Sequence, residues 1–215
     1  MKKRWISYLL VGILSFGFTG CSMRELEERC FPVVVTVGYE DGKVSFCEGF
    51  PKTTSATKDD SSSVQIGVSM VLDKGFEQAK EKYEKRLNKE ADYNHLKVLV
   101  LEEELLEQPE AYEDMLDYVA QTEEFPRNTY VCAIEDIEDL WEIEKELSQD
   151  LGSYLEEYLK KHEEKKEKLL TLGDLIDEKE NQLMVLYMPY LDAEENYVEW
   201  KGYMNTDGKS WQDSN

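Results

Sequence analysis

The chain has 215 residues, 41% of them hydrophobic and 11% aromatic with only five prolines, which suffices for one large or two small domains with a real core and argues against wholesale disorder. It carries 25 basic against 47 acidic residues, a formal net charge of −22. Such a surface repels phosphate backbones and anionic headgroups, which speaks against nucleic-acid binding and against attachment to a membrane by a broad basic patch.

The chain opens with MKKRWISYLLVGILSFGFTGC. Lys2, Lys3 and Arg4 form a positive start, and the apolar run from Trp5 to Phe18 is too short and too abruptly ended to span a bilayer comfortably. Phe18-Thr19-Gly20-Cys21 resembles the lipobox of bacterial lipoproteins, with Phe18 standing where leucine is usual. Small side chains before the cysteine suit a signal peptidase, and the Cys21 thiol would take the diacylglyceryl group. Residues 1–20 are thus expected to be a lipoprotein signal peptide and Cys21 the lipidation site. An uncleaved anchor, or a signal peptide cut elsewhere, is the competing reading of the same residues. Cleavage removes three basic residues and leaves a mature chain of charge −25. At that charge the lipid has to hold the protein on a membrane, and two acyl chains suffice at about 0.8 kcal/mol per buried methylene.

Residues 21–31 read as a tether. Val33–Gly38 and Val44–Cys47 are strand-like runs either side of Asp41-Gly42, a type I′ hairpin signal. A two-residue turn pairs Glu40 with Lys43 and sets Cys47 opposite Thr36, so Cys30 does not face Cys47. With Cys21 acylated, Cys30, Cys47 and Cys132 are an odd set and are expected to be buried free thiols. Residues 51–63 are low in complexity and read as a surface loop, and the mixed apolar stretch to Leu72 as a further strand or lead-in. Phe76, Ala79, Tyr83 and Leu87 recur at helical spacing, ending near Asn88. His95–Leu101 reads as a buried strand, Glu102–Glu107 as a charged connection, and Pro109 as the start of a helix burying Tyr112, Met115, Leu116 and Val119. Thr129–Ile134 reads as a second buried strand, followed by a helix striped with Ile137, Leu140, Trp141 and Leu147. Beyond Gly152 a helix groups Tyr154, Leu155, Tyr158, Leu159 and His162, and Thr171 caps a short one. Leu183–Met188 and Tyr197–Tyr203 are strands, and Asn205–Gly208 a turn whose return strand is cut short. The succession predicts an α/β fold, with α+β as the alternative: a mixed central sheet covered by amphipathic helices, an N-terminal hairpin and a C-terminal strand pair.

Catalytic chemistry finds no support. His95 and His162 have no triad or ligand pattern around them and read as structural. No glycine-rich phosphate loop, no GxSxG and no HExxH occurs. Asp192–Asn196 reads as a solvated acidic loop without calcium-loop spacing. The runs Glu102–Glu104 and Glu135–Asp139 are either helix-starting carboxylates or a face for a basic partner. No cofactor or metal site is expected.

Taken in order, several stretches resemble the Ger(x)C family, the lipoprotein C subunit of bacterial spore germinant receptors. These are Cys21-Ser22-Met23-Arg24-Glu25-Leu26 followed by Val33-Val34-Val35, His95-Leu96-Lys97-Val98-Leu99-Val100 followed by Glu104-Leu105, Asn128-Thr129-Tyr130-Val131, and Thr171-Leu172-Gly173-Asp174-Leu175. The likeness runs from Cys21 to about Gly208. It implies the family's N-terminal α/β domain over 32–215, with a candidate sub-boundary near 150–170 and without the C-terminal domain that family members normally carry. It further implies a palmitate-bearing, non-enzymatic lipoprotein on the outer face of the spore inner membrane. There it would dock on multi-pass A-type and transporter-like B-type subunits during nutrient-triggered germination, with the germinant unspecified. No catalytic residue is implied, and Cys21 alone carries over as a site. The alternative is an exported lipoprotein that binds a small ligand or cationic partner outside sporulation; a hydrolase with a concealed site comes last.

Overall fold

The computed structural model describes residues 29–52, 69–181 and 186–206, together with the backbone of 211–213. The leader with Cys21, the tether to residue 28, residues 53–68, residues 183–185 and the turn at 207–208 lie outside the described residues. Strand β1 (Arg29–Cys30) precedes β2 (Val34–Glu40), which pairs antiparallel with β3 (Lys43–Gly49) in the expected register: Glu40 faces Lys43 and Thr36 faces Cys47. Positive φ at Asp41 (49°) and Gly42 (77°) gives the turn the backbone that its sequence demands. Strand β4 (Val71–Asp73) adds to β3. Helix α1 (Phe76–Leu87) buries Phe76, Ala79 and Tyr83 and ends at a left-handed Asn88, as its period predicts.

Strand β5 (Glu90–Ala91) pairs in parallel with β1. His95 does not open the next strand; it closes a 3-10 turn, Tyr93–His95, started by the Asp92 side chain accepting the Asn94 N–H. Strand β6 (Val98–Glu102) follows. The expected charged connection is instead a short helix, α2 (Glu103–Leu106), because Leu105 and Leu106 are buried. Helix α3 (Pro109–Thr122) has Pro109 in its first turn and buries the four residues expected. Strand β7 (Tyr130–Ile134) leads to α4 (Ile137–Glu146), which also buries Ile143. Helix α5 (Leu151–Glu164) takes in Gly152, with Asp150 accepting the Ser153 N–H as its cap. Strand β8 (Leu170–Thr171) runs into α6 (Leu172–Asn181). Thr171 and Asp174 exchange side-chain-to-backbone hydrogen bonds there, a capping box at the expected place. Strands β9 (Tyr187–Glu194) and β10 (Tyr197–Asn205) form a hairpin, and β11 (Trp211–Asp213) does return along β10. Asp192–Glu194 therefore belong to a strand, where the Lys201 ammonium meets the Asp192 and Glu194 carboxylates at 3.2 and 3.5 Å.

The sheet order is β11-β10-β9-β7-β6-β2-β3-β4, with β8 on β7 beside β9. The inner strands β9, β7, β6 and β2 are parallel, and antiparallel pairs flank them on both sides. This is the mixed, helix-covered sheet that the sequence predicts. Opposed residues share a face: Val37 and Phe46 look one way, Thr36 and Cys47 the other. Phe46 packs on Phe76 and Tyr83 of α1, whereas Thr36 accepts a hydrogen bond from the Trp141 indole of α4. Helices α1 and α4 thus cover opposite faces.

Candidate functional site

Parallel strands give the sheet two unlike ends. At the C-terminal ends of β2, β6 and β7 the segments 40–43, 102–104 and 135–139 carry nine carboxylates and one lysine, Lys43. Part of this charge is structural. Glu102 accepts the backbone N–H groups of Tyr39 (3.0 Å) and Ile137 (3.4 Å) and so ties β2 and α4 to β6, while burial pushes its carboxyl upward. Asp136 accepts the Glu138 N–H at 2.7 Å and caps α4, and Tyr190 donates to Glu103 at 2.8 Å. Glu40, Asp41, Glu104 and Glu135 stay exposed. Both readings of these runs therefore have residues to support them.

The opposite end holds a cleft of about 580 Å³. Asn94 to Lys97 form one wall, Asn128 and Tyr130 the floor, and Glu156, Lys160 and Glu163 of α5 another wall, with Glu167 and Lys168 at the rim. Lys97 Nζ donates to Ser153 Oγ (2.9 Å) and pairs with Glu156 Oε2 (3.0 Å), and Lys160 Nζ meets Glu156 Oε1 at 2.6 Å. Burial works against the Glu156 anion, yet the two lysines prevail and hold its carboxyl below the usual range. Tyr203 donates to Glu167 at 2.6 Å. His95 meets Phe31 edge-on at 5.7 Å, and His162 stacks on Trp200 at 4.5 Å with ring planes 9° apart. Burial, and then Lys165, push the His162 imidazolium toward its neutral form. The two histidines thus sit in ring contacts, and the cleft offers ammonium groups, amides and carboxylates suited to holding a small charged group. Among the described residues no cluster of His, Cys, Asp or Glu has metal-ligating geometry.

Sequence reasoning missed a buried polar cluster under α1. Glu48 is fully buried on β3; Tyr93 donates to its Oε1 at 2.6 Å, and its Oε2 has no hydrogen-bond partner among the described residues. Tyr83 donates to the Glu48 carbonyl at 3.1 Å. Lys80, 6% exposed, pairs with Glu84 and Glu124 at 3.0 Å each and lies 5.4 Å from the Tyr93 ring centre. Desolvation, the largest cause, raises the Glu48 pKa to about 7 against the pull of the Tyr93 hydrogen bond. Extending the alternation of β3 one position beyond Cys47 would have placed this glutamate beside Phe46, on the covered face. Cys30, Cys47 and Cys132 are free and buried, and burial pushes each thiol up to about 12. They are the buried free thiols that the sequence leads one to expect.

Cys21 lies outside the described residues. Among those residues no helix is long and apolar enough to cross a membrane. A family model described as the spore germination protein N-terminal domain matches residues 22–193, from the residue after Cys21 into β9. No curated protein and no solved structure matches the chain.

Proposed function

Because the chain belongs to the Ger(x)C spore germination family through this N-terminal domain, we propose that it is a lipid-anchored, non-enzymatic subunit of a germinant-receptor-type complex. It docks on integral-membrane A-type and B-type subunits during nutrient-triggered germination. In this reading residues 1–20 are removed, Cys21 carries the lipid, and residues 21–28 tether a domain that begins at β1 (Arg29–Cys30), three residues before the boundary expected from the sequence, and lies on the extracytoplasmic side of the spore inner membrane. The observation that carries it is the family match over 22–193. The lipobox-like Phe18–Cys21 immediately before it supports the anchor.

Two measurements test the proposal. Metabolic labelling with palmitate is expected to tag the wild type and to leave Cys21→Ala unlabelled; equal labelling of both ends the lipidation claim. Deleting the gene is expected to slow or abolish the germination response of spores to at least one nutrient; an unchanged response to every nutrient ends the receptor claim. The second reading, an exported lipoprotein binding a small ligand or cationic partner, draws on the cleft and on the exposed acidic end. Normal germination of the deletion strain, with binding of a small amine to purified residues 22–215, would favour it.

A further inference from the structure

The alternation of β3 puts Phe46 and Glu48 on the face that α1 covers, so a carboxyl group enters an interior built from rings. Titratable groups face it from several elements. Helix α1 brings Lys80, Tyr83 and Glu84, the 3-10 turn brings Tyr93, and Cys30 of β1 and Cys47 of β3 lie nearby. Tyr93 satisfies Oε1, while the buried Oε2 has no hydrogen-bond partner among the described residues. A protonated carboxyl tolerates that position, but an anion there needs a cation. Desolvation accordingly holds Glu48 in its neutral form up to about pH 7.

Among the described residues the cation that acts on Glu48 is the Lys80 ammonium. It lies 5.4 Å from the centre of the Tyr93 ring, whose hydroxyl binds Glu48, and 5.8 Å from that of Tyr118. Two carboxylates hold it, Glu84 one turn along α1 and Glu124 beyond the end of α3, each at 3.0 Å. Burial works against the ammonium, yet Glu84 and Glu124 prevail and keep it charged. These two partners are not equivalent. Glu84 shares a helix with Lys80, and its side chain is 21% exposed; Glu124 follows the left-handed Glu123, and its side chain is 42% exposed. Water can take the place of Lys80 at Glu124, whereas a Glu48 anion, 0% exposed, has no access to water. The flexible four-carbon stem of lysine lets the ammonium pass from one carboxylate to another without a helix shift.

We propose that Glu48, Lys80 and Glu124 form a proton-operated switch, in which ionisation of Glu48 draws the Lys80 ammonium inward and frees Glu124. With Glu48 protonated, the Lys80–Glu124 pair ties α1 to the end of α3. Once the proton leaves, Lys80 bridges Glu84 and Glu48, and that tie is gone. Phe125, stacked on Tyr93 at 4.3 Å, stays in the core, so the change is confined to the turn at Glu123 and Glu124. The switch uses the folded domain alone and rests on nothing in the anchor reading.

The test is hydrogen exchange of the full-length protein in detergent, read by mass spectrometry at pH 5 and pH 8 and corrected for the intrinsic rate at each. The wild type is expected to lose protection several-fold over residues 119–124 at the higher pH. Glu48→Gln is expected to keep the protection of the lower pH at both. Glu124→Gln, which cannot form the tie, is expected to show the reduced protection at both. A double-mutant cycle of Lys80→Met with Glu124→Gln in urea adds a second reading. Its coupling is expected at pH 5 and lost at pH 8, but equal at the two pH values when Glu48→Gln is the background. Unchanged protection in the wild type, a loss that persists in Glu48→Gln, or a coupling that ignores pH overturns the switch.

Discussion

Glu48 and Gly49 are neighbours on β3, yet they look into opposite faces of the sheet. Glu48 enters an aromatic and charged interior with Tyr83, Tyr93 and Lys80 of the α1 side. Gly49 meets the Trp141 ring of α4, where even a methyl group would lie 2.5 Å from Val34 Cγ1 and 3.0 Å from the ring. The first face holds a buried ionisable group whose charge state costs free energy; the second is limited by shape alone. The contrast predicts that pH reaches the fold through the α1 face, whereas size governs the α4 face.

The largest effect is expected at Trp141, which is 6% exposed and donates to Thr36 at 3.3 Å. Trp141→Ala should cost about 3–5 kcal/mol, as large-to-small changes of a buried aromatic do. The loss, read from urea midpoints, should be the same at pH 5 and pH 8. A loss that changes strongly with pH would break the contrast, because the Thr36 hydroxyl that accepts from the indole does not ionise between those pH values.

How much of this could be read from the sequence depends on the range of the signal. The hairpin was legible because Asp41-Gly42 fixes its own turn and thereby its register. The buried face of α3 was legible because four apolar residues repeat over three turns. Helix α2 was not, since four residues are too few to show a period and two of them are glutamates. Asp192–Glu194 looked like loop because their cation, Lys201, comes from the next strand. The cleft was hidden for the same reason: its walls come from residues 94–97, 128–130 and 156–171. Glu48 was missed because the strand was ended at Cys47, two residues short of its end at Gly49.

The next effect is at Glu48, whose folded pKa of about 7 lies above an ordinary carboxyl. The folded state then holds the proton more tightly than the unfolded chain does. Its contribution is fully present below the unfolded value and is lost as pH rises through about 7. Taking the shift at face value, the penalty reaches roughly 3 kcal/mol above neutrality. Glu48→Gln keeps an acceptor for Tyr93 and carries no charge. It should match the wild type near pH 4 and exceed its stability at pH 8. Parallel stability-against-pH curves for the two proteins would remove Glu48 from the account.

On the other face, Gly49→Ala forces a methyl group between Val34 and Trp141. Overpacking of this kind costs about 1–3 kcal/mol. Trimming the obstacle should restore part of it, so the double change Gly49→Ala with Val34→Ala is expected to lose less than the two single losses added together. Strict additivity, measured by a double-mutant cycle in urea, would mean that the glycine is not required by this contact.

The smallest effect concerns the position of α4, on which the Trp141 contact depends. Asp136 is exposed and accepts the backbone N–H groups of Glu138 (2.7 Å) and Asp139 (3.4 Å). Asp136→Ala should cost about 1 kcal/mol and Asp136→Asn much less, since an amide oxygen caps nearly as well. If the Trp141 face is set by shape alone, the loss in Asp136→Ala should add to that of Gly49→Ala, for the cap and the glycine share no partner. Coupling between them would mean that α4 shifts as a body when its cap is lost, and that the fit at Gly49 is set by where the helix begins as well as by which ring it carries.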